Sequence, residues 1–269
     1  MKKSVFSKSL LFLFVAIVAL FSSRATYAVG AETLRIMSYN IRNGRGMDNK
    51  VDYPRIAEVI QKNAPDVVAL QELDCRTSRS QGVDVLSEIA TILGMYPTYG
   101  AAIDFQGGKY GVGILSKEKP IRVETTPLPG REERRALLCV ELENYVVFCS
   151  HWSLTEEDRN STVAIITNKK KQYTKPVFLC GDFNAHSEED SILSLKKDWA
   201  ILSADAPTFP ANSPDERIDY ICATDPNNAI SEETWQKSVL ASSVVNAPNE
   251  SDHRPILVEV DMKLLETEK

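Results

Sequence analysis

An aspartate and an asparagine stand two residues apart in Gly181-Asp182-Phe183-Asn184, directly after the apolar run 176–180. Released where a strand ends, such a pair can hold a phosphate together with the water that attacks it. The carboxylate orients or deprotonates the water, and the amide binds a phosphoryl oxygen. Other polar residues close other strand-like runs. Asn40 ends 34–40, Glu72 ends 67–72 and His151 ends 146–151. Asp219 lies in Arg217-Ile218-Asp219-Tyr220-Ile221, and His253 closes Ser251-Asp252-His253. One short motif arises by chance; this many in one chain, most at strand ends, argue for a shared site.

Glu72 and Asn40 offer the oxygen donors that Mg2+ or Mn2+ prefers, ions that often take only one or two protein carboxylates. His253 titrates near neutrality, so it can accept a proton from water or polarise a phosphate. Tyr110 opens a Gly-rich segment and offers a hydroxyl to phosphate, though a turn aromatic is an equal reading. Arg76, Arg79, Arg131, Arg134 and Arg135 lie in two loops. Guanidinium forks suit phosphate, but solvated surface charge accounts for most such arginines. His186 reads as an exposed loop residue. The run Lys169-Lys170-Lys171 reads as a solvated helix end, where cations complement the dipole.

These residues need elements to position them. Strand-like runs fall at 34–41, 66–72, 111–116, 120–125, 136–142, 145–151, 176–181, 217–222, 238–245 and 255–261. Helical periodicity puts Ile56, Val59 and Ile60 on one face of 54–63, which Pro65 stops. It does the same for Leu86, Ile89, Ala90 and Leu93 in 85–93. Thr155 with Asp158 is the pattern of a capping box opening a helix to about Lys169. Ser187 with Asp190 suggests another, burying Ile192, Leu195 and Trp199. The result is a mixed α/β domain with no tandem sequence repeat.

The chain resembles the endonuclease/exonuclease/phosphatase family, the deoxyribonuclease I-like metal-dependent phosphoesterases. The matching segments are Met37-Ser38-Tyr39-Asn40, Leu70-Gln71-Glu72, Tyr110-Gly111-Val112-Gly113-Ile114-Leu115-Ser116, Ser150-His151, Gly181-Asp182-Phe183-Asn184, Arg217-Ile218-Asp219-Tyr220 and Ser251-Asp252-His253. The resemblance implies two packed mixed β-sheets flanked by helices, a four-layer α/β/β/α sandwich. It implies Glu72 as the main metal ligand, Asn40 beside it, and Asp252 at the metal or its water shell. Asp182 would orient the attacking water, Asn184 bind a phosphate oxygen, and Asp219 fix the His253 tautomer. His151 would act beside the leaving group, although Trp152 and Ser153 depart from the leucine and acid usual there. Arg79 and Arg134 resemble positions common in secreted bacterial members, where they would contact phosphate with Tyr110.

Composition narrows the substrate. Lys2, Lys3 and Lys8, an apolar run of twelve residues (10–21) and Thr26-Tyr27-Ala28 form a signal-peptide pattern over 1–28. The apolar run is shorter than the ~20 residues needed to span a bilayer. A single domain, 29–269, is then exported, to the periplasm if the cell is Gram-negative, with no transmembrane segment and as a monomer. Losing Lys2, Lys3, Lys8 and Arg24 with no acid moves the formal net charge from −6 to −10. That acidity disfavours nucleic acid, whose binding rests on Lys and Arg contacts. Cys75, Cys139, Cys149, Cys180 and Cys222 are odd in number and widely spaced, unlike a disulfide framework or zinc site. Most sit in apolar runs, as buried thiols do. The expectation is a secreted Mg2+-dependent (or Mn2+-dependent) hydrolase of small or lipid-linked phosphoesters. A secreted endonuclease and a non-catalytic binding protein of the same fold are the alternatives.

Overall fold

The structure, a computed structural model, describes residues 33–265; the expected signal peptide lies outside the described residues. The chain runs β1 (Thr33–Asn40), α1 (Tyr53–Asn63), β2 (Val67–Cys75), α2 (Val85–Leu93), β3 (Tyr96–Phe105), β4 (Gly108–Ser116), β5 (Arg122–Leu128) and β6 (Arg135–Glu141). It continues through β7 (Val146–His151), α3 (Glu156–Lys170), β8 (Val177–Asp182), α4 (Asp190–Leu195), β9 (Ala200–Ile201), β10 (Asp219–Thr224), α5 (Glu232–Ser238), β11 (Val239–Val244) and β12 (Ile256–Asp261).

Two six-stranded sheets form, in the orders β11-β12-β1-β2-β4-β3 and β5-β6-β7-β8-β10-β9. Each is built on one parallel pair, β1·β2 or β7·β8, joined through a crossover helix, α1 or α3. The other pairs are antiparallel. Strand by strand, β7 to β12 occupy the places that β1 to β6 occupy. Each run sends its last two strands to the opposite sheet. The topology thus repeats where the sequence does not.

Burial follows the layers. Ile36, Val67, Ile114, Val140, Val147, Phe178 and Val258 fill the space between the sheets. Ile56, Ile60, Leu86 and Ile89 bind α1 and α2 to the first sheet, and Val163, Ile166, Ile192 and Trp199 bind α3 and α4 to the second. Strands buried on both faces read as continuous apolar runs, which is why 176–180 and 146–149 were conspicuous. Cys139, Cys149, Cys180 and Cys222 are buried free thiols.

Several local expectations need correction. Neither helical capping pattern forms. Thr155 makes no side-chain cap, because its hydroxyl and the Asp158 carboxylate bond to Glu132 and to the Arg131 amide instead. The helix after Ser187 starts at Asp190 with Glu189 in the cap position. Lys169 and Lys170 are not solvated. Lys169 pairs with Glu124, and the Lys170 ammonium meets Thr224 Oγ1 at 3.0 Å and the Asn228 side chain. Strand β3 and helix α5 were not expected at all.

Candidate active site

The carboxyl ends of both parallel pairs meet at one edge of the sandwich, the usual place for ligands in strand–helix–strand units. Asn40 ends β1, Glu72 lies in β2, His151 ends β7 and Asp182 ends β8. The antiparallel neighbours begin at the same edge, and they bring Asp219 at the start of β10, Tyr110 in β4 and His253 just before β12.

Glu72 is placed by an irregularity. Leu70 pairs with Gly113 and Leu73 with Gly111, so Gln71 and Glu72 together face only Val112. This bulge turns Glu72 out of the alternating pattern and holds it at φ 60°, a strained conformation for a non-glycine residue. Asp182 is placed by close strand packing. A Cβ on Gly181 would lie 2.0 Å from the Ser150 carbonyl oxygen, so only glycine fits before it. Beneath the site Trp152 stacks on Phe183 at 4.0 Å, and Phe183 on Tyr220 at 5.1 Å. These rings lock the ends of β7, β8 and β10 together. The unusual Trp152 is therefore the floor of the site.

Asp182 is the centre. Its Oδ2 accepts from Asn40 Nδ2 at 3.0 Å and lies 3.5 Å from His151 Nε2 and 3.6 Å from His253 Nε2. Its Oδ1 accepts the Asn184 backbone N–H at 3.0 Å. Asp219 Oδ2 sits 2.9 Å from His253 Nδ1 and accepts from Thr208 Oγ1 at 2.5 Å. Phe209 packs against the His253 ring, centroids 4.8 Å apart. Thr208 and Phe209 were not expected. The only sequence signal was a proline-rich loop, 207–214, shortly before Asp219.

The two histidines titrate in opposite directions. Burial pulls His253 down, but Asp219 and Asp182 outweigh it and raise the imidazole to about 10. Burial pulls His151 down to about 4; Asp182 resists, while Arg135 and His253 add to the fall. At neutral pH His253 is an imidazolium and His151 is neutral. Burial also raises the Glu72 carboxyl, Asn40 opposing and Asp252 and Asp182 adding to it.

Asp182, Asp219 and His253 cluster closely enough to ligate a divalent cation. However, Asp219 Oδ2 and His253 Nδ1 are spent on each other. Glu72 fits better. Its one hydrogen-bond partner among the described residues is Asn40 Nδ2 at 3.1 Å, and the Asp252 and Asp182 carboxylates crowd it with His253 opposing them. Asp252 is less free, being 3.3 Å from Arg42 Nε.

The remaining sites divide. Asn184 spends one amide hydrogen on the Trp152 carbonyl at 2.9 Å and keeps the other. Tyr110 lines a small cleft beside His151. Arg79 holds Asp74 through Nε and Nη2, each at 2.8 Å, and its guanidinium lies over Phe105 and Tyr110. Arg134 is exposed, with no hydrogen-bond or ion-pair partner among the described residues. His186 is partly exposed, 3.5 Å from Glu216.

Residues 37–253 match the model of the Endonuclease/Exonuclease/phosphatase family, and the chain belongs to that family of phosphoester hydrolases. The family depends on divalent metal. Among solved structures, an endonuclease/exonuclease/phosphatase from Beutenbergia cavernae is 26% identical with a TM-score of 0.72, over 86% of this chain and 72% of that one. A mannosyl-6-phosphatase from Bacteroides thetaiotaomicron is 19% identical with a TM-score of 0.66, over 84% and 98%. A humanized D. rerio TDP2 is 17% identical with a TM-score of 0.62, over 85% and 99%.

Proposed function

We propose that the protein is an exported, Mg2+-dependent hydrolase of small or lipid-linked phosphoesters. The observation that carries this reading is the Asp182 carboxylate, held within 3.6 Å of the Nε2 atoms of two histidines. Glu72 and Asn40, with Asp252 at the water shell, would hold the cation, which polarises the phosphoryl group and stabilises the departing oxygen. Asp182 takes a hydrogen bond from the attacking water and then its proton. His253 donates from Nε2 to a phosphoryl oxygen, while Asp219 and Thr208 fix its ring. Asn184 and Tyr110 donate to other oxygens. His151 donates from Nε2 to the departing oxygen, and the proton taken by Asp182, 3.5 Å from that nitrogen, restores the ring, so the product leaves as an alcohol. The new P–O bond forms from water as the ester P–O bond breaks, with no covalent enzyme intermediate.

The expected mature charge of −10 and the engagement of Arg79 by Asp74 favour a compact substrate over polymeric DNA. A mannosyl-6-phosphatase of similar fold is in keeping with that. The test is a panel of monoesters, small diesters and duplex DNA with added Mg2+, beside an Asp182→Ala control. Rapid cleavage of DNA alone, with rate falling steeply as salt rises, would make the endonuclease alternative correct. N-terminal sequencing of exported protein tests cleavage after Ala28.

A further inference from the structure

The two histidines beside Asp182 are held in different ways. The His253 ring is fixed by a hydrogen bond, Nδ1 to Asp219 Oδ2 at 2.9 Å. Among the described residues no hydrogen bond holds the His151 ring, and its one polar contact is Asp182 Oδ2 at 3.5 Å. The aim of His151 therefore depends on the backbone that carries it.

Residues 152–155 follow His151 outside any strand or helix, yet their polar groups are engaged from several sides. Trp152 donates its N–H to the Asp182 carbonyl and accepts from Asn184 Nδ2, each at 2.9 Å. Two charged side chains hold the rest. Glu132, in the loop before β6, accepts the Leu154 N–H and the Ser153 hydroxyl, each at 2.8 Å, and the Thr155 hydroxyl at 3.3 Å. Arg159, near the start of α3, takes the opposite groups. Its Nη1 donates to the Leu154 carbonyl at 2.8 Å and to the Ser153 carbonyl at 3.3 Å. Its Nη2 pairs with Glu189, whose other oxygen accepts the His186 N–H at 2.8 Å. An anion thus takes the donors of Ser153 and Leu154 while a buried cation takes their carbonyls. The same cation ties in the loop that follows Asn184. Hydrogen bonds to charged groups are the strong ones, so this clamp is stiffer than an ordinary turn.

Building on the proposed hydrolase, we infer that Glu132 and Arg159 are positioning residues of the leaving-group side: their clamp on Ser153 and Leu154 keeps His151 aimed at the departing oxygen.

The test compares an n-hexyl ester with a p-nitrophenyl ester, each as phosphate monoester and as methyl diester, with added Mg2+. A hexanol oxygen needs a proton as it departs, whereas p-nitrophenolate leaves without one. The ratio of the two rates does not depend on how much of a variant folds. Glu132→Gln keeps the volume and one acceptor oxygen. It should lower kcat for the hexyl ester about 10- to 100-fold, as small misplacements do, with the p-nitrophenyl rate within about threefold of wild type. Arg159→Lys, which keeps the charge but not the fork over two carbonyls, should shift the ratio the same way. So should Ser153→Ala, which removes a donor to Glu132 without changing any charge. His151→Gln, as the reference, should show the largest shift. Equal losses on both esters in the clamp variants, with the shift present in His151→Gln, would overturn the positioning role and leave the hydrolase reading standing. Equal losses on both esters in His151→Gln would overturn the part given to that histidine, and the clamp with it. Hydrolysis of neither ester by the wild-type protein, with DNA cleaved, would overturn the small-ester reading itself.

Discussion

The two halves of the molecule have one topology and opposite chemistry. In the first, β1 and β2 deliver Asn40 and Glu72; in the second, β7 and β8 deliver His151 and Asp182. At the next strand, β4 carries Tyr110 where β10 carries Asp219. Within the crossed-over pair, Arg135 opens β6 where His253 precedes β12. The first half gathers an amide, a crowded carboxylate whose pKa burial raises, and a phenol. The second gathers imidazoles and the carboxylates that set their charge. Placement at strand ends is therefore a property of the fold, while the division into a cation side and a proton side is a property of the side chains.

The division breaks most visibly at Asp182, which belongs to the second half but accepts from Asn40 of the first. Asp182→Asn keeps the shape and removes the charge that both histidines face. The rate should fall by about 10²–10⁴, the usual worth of acid–base catalysis, and added Mg2+ should not restore it. Retention of a tenth of the wild-type rate would show that the proton side is not organised around this residue.

Glu72→Gln attacks the cation side alone. The Mg2+ concentration for half-maximal activity should rise at least ~10-fold, as disturbing metal sites does, and high Mg2+ should recover part of the rate. The limbs of the pH profile should stay in place. Chelation of the wild-type protein should abolish hydrolysis, and Mg2+ or Mn2+ should restore it. Full activity in excess chelator would remove the cation side from the account.

Much of this was legible beforehand, for a physical reason. Strands buried on both faces are apolar throughout, so a polar residue at their end stands out, as Asn40, His151 and Asp182 do. Residues supplied by tertiary placement gave little sign. Strand β3 carries Pro97, Gly100, Ala101 and Ala102, poor strand formers, and is tolerated because it lies at a sheet edge. Lys170 looked like solvated charge because nothing local announces Thr224 and Asn228 above it. Arg79 looked like a phosphate fork because Asp74, its partner, is an ordinary acid in sequence.

Titration separates the two histidines within the proton side. His151 has a folded pKa below its ordinary 6.5, about 4. The folded state then binds fewer protons, and stability falls as pH drops from about 6.5 to 4. His253 is raised to about 10. Its contribution is full below about 6.5 and is lost as pH rises through about 10. His151→Gln should flatten the acid side of a denaturation-versus-pH series by no more than about 3 kcal/mol, and His253→Gln should flatten the alkaline side. If His151→Gln leaves the acid slope unchanged, burial is not what governs that ring.

The smallest expected effect concerns Thr208, which serves the proton side through Asp219 without touching substrate. Its hydroxyl donates to the Asp219 oxygen that also holds His253, and the other Asp219 oxygen is buried without a partner. Thr208→Val keeps the volume, since Thr208 is fully buried, and removes one of the two donors on that carboxylate. A hydrogen bond to a charged group contributes ~1.5–3 kcal/mol, so stability should fall by about that amount at neutral pH. The His253 ring keeps its bond to Asp219, so kcat should drop only a few-fold, with the Mg2+ requirement unmoved. Thr208→Ser, which restores the donor and loses only a methyl group, should recover most of both. Loss of kcat in the valine variant with no rescue by serine would mean that Thr208 acts by packing, and that Asp219 needs no help to orient its histidine.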